Sequence, residues 1–236
     1  MKRSRINQVI RETEELLARH QIFLPPFFGW TPGEWAEKGP ECREIRDNGL
    51  GWDITDFGCG DFDKVGLTAL TLRNGNQKAA SDQKPYAEKL LIAREGQVTP
   101  MHFHWYKMED IINRGGGVLV MQLYRATEEE EPDRERDVEI LSDGVLLHIP
   151  PGGILELHPG QSVTYTQRLY HSFWGKEGCG DVIVGEVSMC NDDSTDNRFL
   201  EASGRFPAIE EDEEPYRLLC NEYPEPENAV PGRRQV

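Results

Sequence analysis

Residues 96–117 read GQVTPMHFHWYKMEDIINRGGG, and this segment is the strongest indication of the protein's architecture. His102 and His104 lie two residues apart in an alternating run, so on a β-strand both imidazoles point to the same face. Glu109 follows five residues after His104 and can bring a carboxylate to the same place. Imidazoles and a carboxylate together are typical ligands of divalent transition metals. The pattern therefore predicts a metal site carried by strands.

The residues around this stretch are typical of a β-protein. From Gly51 onwards, short runs rich in β-branched, aromatic and aliphatic residues are separated by turn residues. These runs are WDITDF, GLTALTL, AEKLLIA, TPMHFHW, GVLVMQL, GVLLHIP, ILELHPG, SVTYTQ and DVIVGEVSM. So many short strands favour a sandwich or a barrel.

The first fifty residues have a helical pattern instead. Apolar residues recur at helical spacing from Ile6 to Leu17, which predicts an amphipathic helix. Thr31 and Glu34 have the spacing of a capping box with Pro32 at the first helical position, so we expect a second helix that continues towards Arg46. The chain is thus expected to consist of a helical extension (1–50), a barrel (51–205) and an acidic C-terminal segment (206–236).

Composition limits the possible partners. The 236 residues carry a net charge of −16, which disfavours binding to nucleic acids and to anionic membranes. There is no signal peptide and no run of 18 apolar residues, so we expect a cytoplasmic protein. The five scattered cysteines include no CxxC pair and are expected to be unpaired thiols. The acidic run EEEEPDRERD at 128–137 is expected to be a solvated loop.

The spacing of Gly96, His102, His104, Glu109 and Gly116 resembles the complete first motif of the cupin superfamily. This resemblance implies an all-β fold, the cupin β-barrel (a double-stranded β-helix or jelly roll), with helices only at the N-terminus. It also implies a fourth metal ligand, a histidine in a second motif.

His171 in TQRLYHSFW is the expected fourth ligand, on the basis of its order in the chain and its context. The match is looser here, because Thr166 and Arg168 stand where the superfamily usually has Pro and Gly. His148 and His158 remain alternatives. Three imidazoles and one carboxylate suit Mn²⁺, Fe²⁺, Co²⁺, Ni²⁺ or Zn²⁺, whereas Mg²⁺ and Ca²⁺ prefer oxygen ligands.

Longer segments resemble one group of cupins, the bacterial D-lyxose isomerases. The segments are MHFHWYKMEDIINRGGG, LYHSFW, VGEVSMCNDDSTDNRF and GWDITDFGCGDF. The resemblance implies a manganese-dependent, homodimeric enzyme that interconverts D-lyxose and D-xylulose, and also D-mannose and D-fructose. Moving a carbonyl between C1 and C2 requires a base for a carbon-bound proton and a metal that stabilises the enediol.

Glu186 is the first candidate for the base, because it is a carboxylate in the apolar strand VIVGEVSM. Lys89, in AEKLLIA, is the second catalytic candidate and could hold an alkoxide or polarise the carbonyl. Either side chain could instead point outwards, because sequence does not fix the face. Polar residues after the last predicted strand are candidates for sugar binding, with a solvated loop as the alternative: Asp196, Glu201, Arg205 and Glu211.

Two other functions are compatible with the same ligands. A cupin dioxygenase would be expected to use iron and an apolar or thiol substrate, which the polar surroundings of Lys89 and Glu186 disfavour. A non-catalytic sugar-binding cupin would retain the fold and lack the base. Within the isomerase hypothesis, sequence does not distinguish transfer of a proton from transfer of a hydride.

Overall fold

A computed structural model describes residues 1–76, 84–190, 192, 195–201, 203–204 and 206–226. Three α-helices lie in the first fifty residues: α1 (Arg3–Arg19), α2 (Pro32–Ala36) and α3 (Arg43–Asp47). Short 3₁₀ turns at Pro26–Gly29 and Pro40–Cys42 separate them. Every strand of the described chain follows these helices.

The strands form two antiparallel sheets, as the β-rich sequence predicts. Their bounds are β1 (Gly51–Thr55), β2 (Leu67–Arg73), β3 (Tyr86–Ala93), β4 (Thr99–His104), β5 (Glu109–Gly116), β6 (Leu119–Arg125), β7 (Val138–Ser142), β8 (Val145–Ile149), β9 (Ile154–Leu157), β10 (Ser162–Tyr165), β11 (Leu169–Gly175), β12 (Val182–Met189) and β13 (Asn197–Phe199). The larger sheet has the order β1-β2-β3-β12-β5-β10-β7-β8, and the smaller sheet has the order β13-β4-β11-β6-β9.

The two sheets enclose one apolar core, and α1 covers the outside of the larger sheet. Leu91, Val184, Met121 and Phe173 belong to the cluster between the sheets, which mixes residues of both. The intervening residues of the larger sheet, such as Leu90 and Ile183, pack against α1 in a second cluster. The alternation of side chains along each strand therefore separates an interior face from a helix-covered face.

The predicted second helix is interrupted. The capping box forms as expected, since the Thr31 side chain accepts a hydrogen bond from the Glu34 amide and the Glu34 carboxylate accepts one from the Thr31 amide. The helix nevertheless ends at Ala36, and Pro40 begins a 3₁₀ turn before α3. Proline removes a backbone donor and clashes with the preceding turn, so one continuous helix to Arg46 does not form.

Strand β5 runs into the glycine-rich segment NRGGG (113–117), whose composition alone suggests a turn. This strand continues to Gly116, and its partner β12 pairs with it as far as that residue. Gly116 has a φ of 88°, and a Cβ built there would lie 2.1 Å from the carbonyl oxygen of Asp181. Only glycine permits this close approach of two backbones.

The acidic segment 128–137 is a mostly exposed loop between β6 and β7, as predicted, and two of its residues attach it to the rest of the protein. Glu130 accepts a hydrogen bond of 2.7 Å from Trp105 Nε1 and pairs with Arg168 at 3.3 Å. Asp133 is buried and accepts hydrogen bonds from the amides of Glu135 and Arg136, which together with the Arg136 side chain lower its pKa to about 2. The segment is therefore attached to the strands that carry His104 and His171.

The C-terminal segment returns to the N-terminal helix. Leu219 is buried and Tyr216 packs against the same apolar cluster, as predicted. Arg3 is almost completely buried and forms ion pairs with Glu211 and Glu222. None of the five cysteines, which all lie within the described residues, forms a disulfide. Within the described residues, no helix has the length and apolar character that crossing a membrane would require.

Candidate active site

A cavity of about 350 Å³ opens between the two sheets and contains the predicted metal ligands. His102 and His104 lie on β4 or at its end, and His171 lies on the neighbouring strand β11. In the pairing of these strands His171 stands opposite His102. Two segments that are far apart in the sequence therefore meet because their strands are adjacent.

The three histidines present the same nitrogen to the cavity. Each Nδ1 lies close to a backbone carbonyl oxygen: Pro100 at 2.7 Å for His102, Asp196 at 3.1 Å for His104 and Leu169 at 3.0 Å for His171. A carbonyl oxygen only accepts hydrogen bonds, so Nδ1 carries the proton and Nε2 has a free lone pair. This is the tautomer that a metal-binding histidine requires.

Burial keeps the imidazoles of His171 and His102 neutral. It lowers the pKa of His171 to about 4, and it lowers the pKa of His102 well below its ordinary value, an effect that the neighbouring His171 and His104 increase. For Glu109, burial would raise the pKa, but Lys107 and the histidines outweigh it and hold the pKa well below its usual range. The site therefore combines neutral imidazoles with an ionised carboxylate.

These four side chains fit a divalent transition metal. The three histidines each offer a ligand atom within 4.8 Å of the others. Glu109 Oε1 lies 3.4 Å from His104 Nε2 and 3.6 Å from His171 Nε2. Two ligands about 2.1 Å from a shared ion, at angles between a right angle and a tetrahedral angle, would lie roughly 3.0 to 3.4 Å apart. The two separations from Glu109 are close to that range, and the donor set is three nitrogens and one oxygen.

Glu186 and two lysines lie beside this group. Lys107 Nζ lies 2.6 Å from Glu109 Oε2 and 2.9 Å from Glu186 Oε1. Lys89 Nζ lies 3.8 Å from the same Glu186 oxygen. These three side chains and Glu109 are all buried and line the cavity. The structure thus places both predicted catalytic residues on the interior face of their strands.

Lys107 is a site residue that was not predicted from the sequence. It lies in a short connection between β4 and β5, two residues before Glu109. The alternation that relates His102 to His104, extended backwards from Glu109, would place Lys107 on the same face. Its charge within the run HWYKMED was therefore an available signal.

The predicted sugar-binding residues do not line the cavity in the described part of the chain. Asp196 is buried, and its carboxylate accepts hydrogen bonds of 2.8 and 2.9 Å from the amides of Tyr106 and Lys107. Glu201 is exposed, and Glu211 pairs with Arg3. Arg205 lies outside the described residues.

The segment that contains these residues does reach the cavity, through other side chains. Asn197, Phe199, Ser203 and Gly204 are among its lining residues. Phe199 stacks on His102 with a ring separation of 5.1 Å, and its ring also lies 5.6 Å from that of Phe57. Asp196 supports the site indirectly, because it holds the connection that carries Lys107.

Comparison with known sequences agrees with this arrangement. Residues 1–223 match the family described as D-lyxose isomerase. The chain belongs to the D-lyxose isomerase family. It is 49% identical to the D-lyxose/D-mannose isomerase of Serratia proteamaculans over 224 residues, which cover 94% of this chain and 98% of the relative. It is 46% identical to the enzyme of the same name from Escherichia coli O157:H7, with the same coverage.

Solved structures show that this family member has the fold of cupin sugar isomerases. The L-ribose isomerase of Cellulomonas parahominis superposes with a TM-score of 0.59 at 17% identity, covering 89% of this chain and 98% of that one. The L-ribose isomerase of Acinetobacter sp. DL28, solved with L-ribose, gives a TM-score of 0.60 at 14% identity with the same coverage. The predicted cupin barrel with N-terminal helices is therefore confirmed.

Proposed function

We propose that this protein is a metal-dependent aldose–ketose isomerase that interconverts D-lyxose and D-xylulose, and also D-mannose and D-fructose. The observation that carries the proposal is a buried carboxylate, Glu186, held by two lysines beside the four-ligand group. The names of the relatives at 49% and 46% identity support the choice of sugars. D-lyxose and D-mannose have the same configuration at C2 and C3, so one site can hold the reacting end of both.

His102, His104, His171 and Glu109 would hold the metal ion. We propose Mn²⁺, with Co²⁺, Ni²⁺, Fe²⁺ and Zn²⁺ as ions that the same donor set accommodates. When bound, the ion would supply the positive charge that stabilises the enediol oxygens at C1 and C2. Oε1 of Glu109 faces the histidines and Oε2 faces Lys107, so this carboxylate would hold the ion while it pairs with the lysine.

Glu186 is suited to move the proton between the two carbons. Its carboxylate would take the proton from C2 of the aldose, which leaves an enediol, and would return the proton to C1 to give the ketose. Meanwhile the hydroxyl proton of O2 must pass to O1. Lys107, which contacts both Glu109 and Glu186, is placed to hold these oxygens, and Lys89 lies on the other side of the Glu186 contact at 3.8 Å.

Metal exchange combined with a ketose assay tests this proposal. The purified protein would be stripped with a chelator, reloaded with each divalent metal in turn, and given D-lyxose or D-mannose. We expect ketose formation to disappear on stripping and to return most fully with Mn²⁺. In deuterated water, proton transfer predicts deuterium in the product, whereas hydride transfer predicts none. Failure to form a ketose with every metal would remove the isomerase proposal, and oxygen uptake with the iron form would favour a dioxygenase.

We further propose that the enzyme is a cytoplasmic homodimer built from the three parts described above. Exposed apolar side chains on the outer face of the larger sheet support association, because such patches on soluble proteins often mark interfaces. They include Tyr86, Val187 and Met189, with Met108 beside them. Light scattering in solution tests this, and a monomeric mass at enzyme concentrations that give full activity would contradict it.

A further inference from the structure

Tyr165 is a buried aromatic residue that adjoins the candidate metal ligands from outside the cavity. It is the last residue of β10 in the larger sheet and is 1% exposed, and it is not among the described residues that line the cavity. In the pairing of β10 with β5, Tyr165 stands directly opposite Glu109. Opposite residues of antiparallel strands point to the same face with Cβ atoms about 5 Å apart, so Tyr165 and Glu109 are neighbours on the interior face.

The ring of Tyr165 also packs on a second candidate ligand, His171. The two ring centroids lie 4.4 Å apart, with 30° between the ring planes. His171 belongs to β11 of the smaller sheet, so this contact joins the two sheets. The hydroxyl of Tyr165 donates a hydrogen bond of 2.9 Å to Met121 Sδ, on β6 of the smaller sheet. Tyr165 therefore adjoins Glu109, the ligand that the larger sheet supplies, and one ligand of the smaller sheet.

The separation between these two ligands depends on how the sheets pack. Glu109 Oε1 and His171 Nε2 lie 3.6 Å apart although their strands belong to different sheets. The hydrogen bond from His171 to the Leu169 carbonyl restrains one edge of the imidazole, and a ring packed on its face restrains the tilt of the imidazole plane. Ligands that are held in the binding geometry beforehand lose less freedom when an ion binds. Tyr165 is placed to provide this restraint.

We propose that Tyr165 is a positioning residue whose aromatic ring holds His171 and Glu109 at the separation that metal binding requires. This inference rests on the proposed metal-dependent function and adds a residue that supports its metal site from outside the cavity. The ring carries the role, because it is the ring that packs on the imidazole. The hydroxyl is engaged by the thioether of Met121, which is a weak acceptor.

Metal affinity tests this role without an activity assay. Mn²⁺ would be titrated into the chelator-stripped full chain, and the free ion would be followed by its electron paramagnetic resonance signal. We expect Tyr165→Leu to raise the Kd for Mn²⁺ roughly ten- to a hundredfold, the usual effect of losing a residue that orients a metal ligand. Tyr165→Phe retains the ring and should bind Mn²⁺ like the wild type. Binding by Tyr165→Phe as weak as that by Tyr165→Leu would overturn the assignment to the ring.

Tyr170→Leu is the matched control. Tyr170 is as buried as Tyr165 and precedes His171 in β11, so its side chain points to the opposite face of that strand. There it packs on Phe103, and its hydroxyl donates to the Glu130 carbonyl. Both leucine variants should unfold at a lower temperature than the wild type, but only Tyr165→Leu should bind Mn²⁺ more weakly. Equal weakening in the two variants would exclude a specific role. If Tyr165→Leu does not fold, Tyr165→Met, which fills more of the space, takes its place.

Failure of this inference and failure of the proposed function give different results. If the wild type binds Mn²⁺ and Tyr165→Leu binds it as tightly, the role of Tyr165 is excluded while the metal site stands. If the wild type binds no divalent metal, the metal site and the role of Tyr165 fall together. If the wild type binds Mn²⁺ but forms no ketose, the isomerase function falls, and the Kd values still decide the role of Tyr165.

Discussion

Glu186 combines burial with two lysine contacts, a combination that suits a side chain that must accept and return a proton. We predict that Glu186→Gln lowers kcat by roughly a hundred- to ten-thousandfold, because the amide cannot accept the carbon-bound proton. Metal content, measured by mass spectrometry of the purified protein, should stay near the wild-type value. The exposed Glu139→Gln, on β7, is the matched control and should retain full activity. Retained turnover in Glu186→Gln would assign the base elsewhere.

Lys107 is the cation that Glu109 and Glu186 share. Replacing it by methionine leaves two buried carboxylates without that cation, and we expect a loss of about 3 to 5 kcal/mol in the free energy of unfolding. Lys89→Met should cost less, because Lys89 contacts one of the two carboxylates, at 3.8 Å. Urea unfolding of both variants measures the difference. A larger loss in Lys89→Met would contradict the central position of Lys107.

Individual site residues are predicted best from the sequence where a spacing rule applies. His102, His104 and Glu109 follow from strand alternation and a known motif, and the structure brings them together with His171. Lys107 was not identified, although its position two residues before Glu109 was an available signal. Asp196 and Glu211 were misleading, because a polar residue after a strand can as readily bond to the backbone or to an arginine.

Among the elements, β5 depends on a glycine at the end of its pairing with β12. We predict that Gly116→Ala destabilises the fold by about 2 kcal/mol or more beyond Gly144→Ala. Both glycines have positive φ, 88° and 81°, but a Cβ at Gly116 meets the Asp181 carbonyl at 2.1 Å, whereas a Cβ at Gly144 meets nothing within 4 Å. Thermal unfolding of Gly116→Ala and Gly144→Ala separates the two costs, because both variants have the backbone strain and only Gly116→Ala has the steric clash. Equal losses would show that the strands separate at little cost.

Helix α1 is an element whose role is to cover the larger sheet. Ile10 is fully buried against that sheet, so Ile10→Ala should lower the free energy of unfolding by about 2 to 5 kcal/mol. Glu15 is on the exposed face of the same helix, and Glu15→Ala should change the free energy of unfolding by no more than about 0.5 kcal/mol. Chemical denaturation measures both. A small effect of Ile10→Ala would mean that the helix detaches without disturbing the barrel.

Periodicity explains which elements were predictable. The pattern from Ile6 to Leu17 correctly indicates α1, and the alternating runs indicate most strands. The failures occur where a local signal competes with tertiary contacts: Pro40 ends a helix that a capping box begins, and strand pairing extends β5 through glycines that alone suggest a turn. The type of each element followed from its local sequence pattern. The two boundaries depended on residues outside that pattern, which are Pro40 for the helix and the paired strand β12 for β5.

Across the whole molecule, Arg3 connects the N-terminal helix to the C-terminal segment through Glu211 and Glu222. Hydrogen bonding to Arg3 lowers the pKa of Glu211 below its ordinary value of 4.5. The stabilisation from this pair is therefore complete above that value and is lost as the pH falls through the lowered pKa. We predict that Arg3→Met is less stable than wild type at neutral pH and that the difference narrows on acidification. Thermal unfolding across the acid range measures this, and a difference independent of pH would exclude the linkage.

The chain's sheet order was beyond sequence reasoning. That β12 lies between β3 and β5 and that β4 pairs with both β11 and β13 are results of long-range pairing. Nothing in the local pattern of a strand specifies its neighbour. The family resemblance supplied the barrel as a class, and the packing of particular strands determined which side chains share the cavity.

The partners of the three histidine Nδ1 atoms have a consequence for how the site tolerates mutation. All three are main-chain carbonyls, of Pro100, Asp196 and Leu169. A carbonyl persists whatever side chain its residue carries, so ordinary point substitutions at these positions leave the orientation of the imidazoles in place. The orientation of the metal ligands is therefore insensitive to most single substitutions at these three positions. An insertion, a deletion or a shift of strand register would be needed to change it.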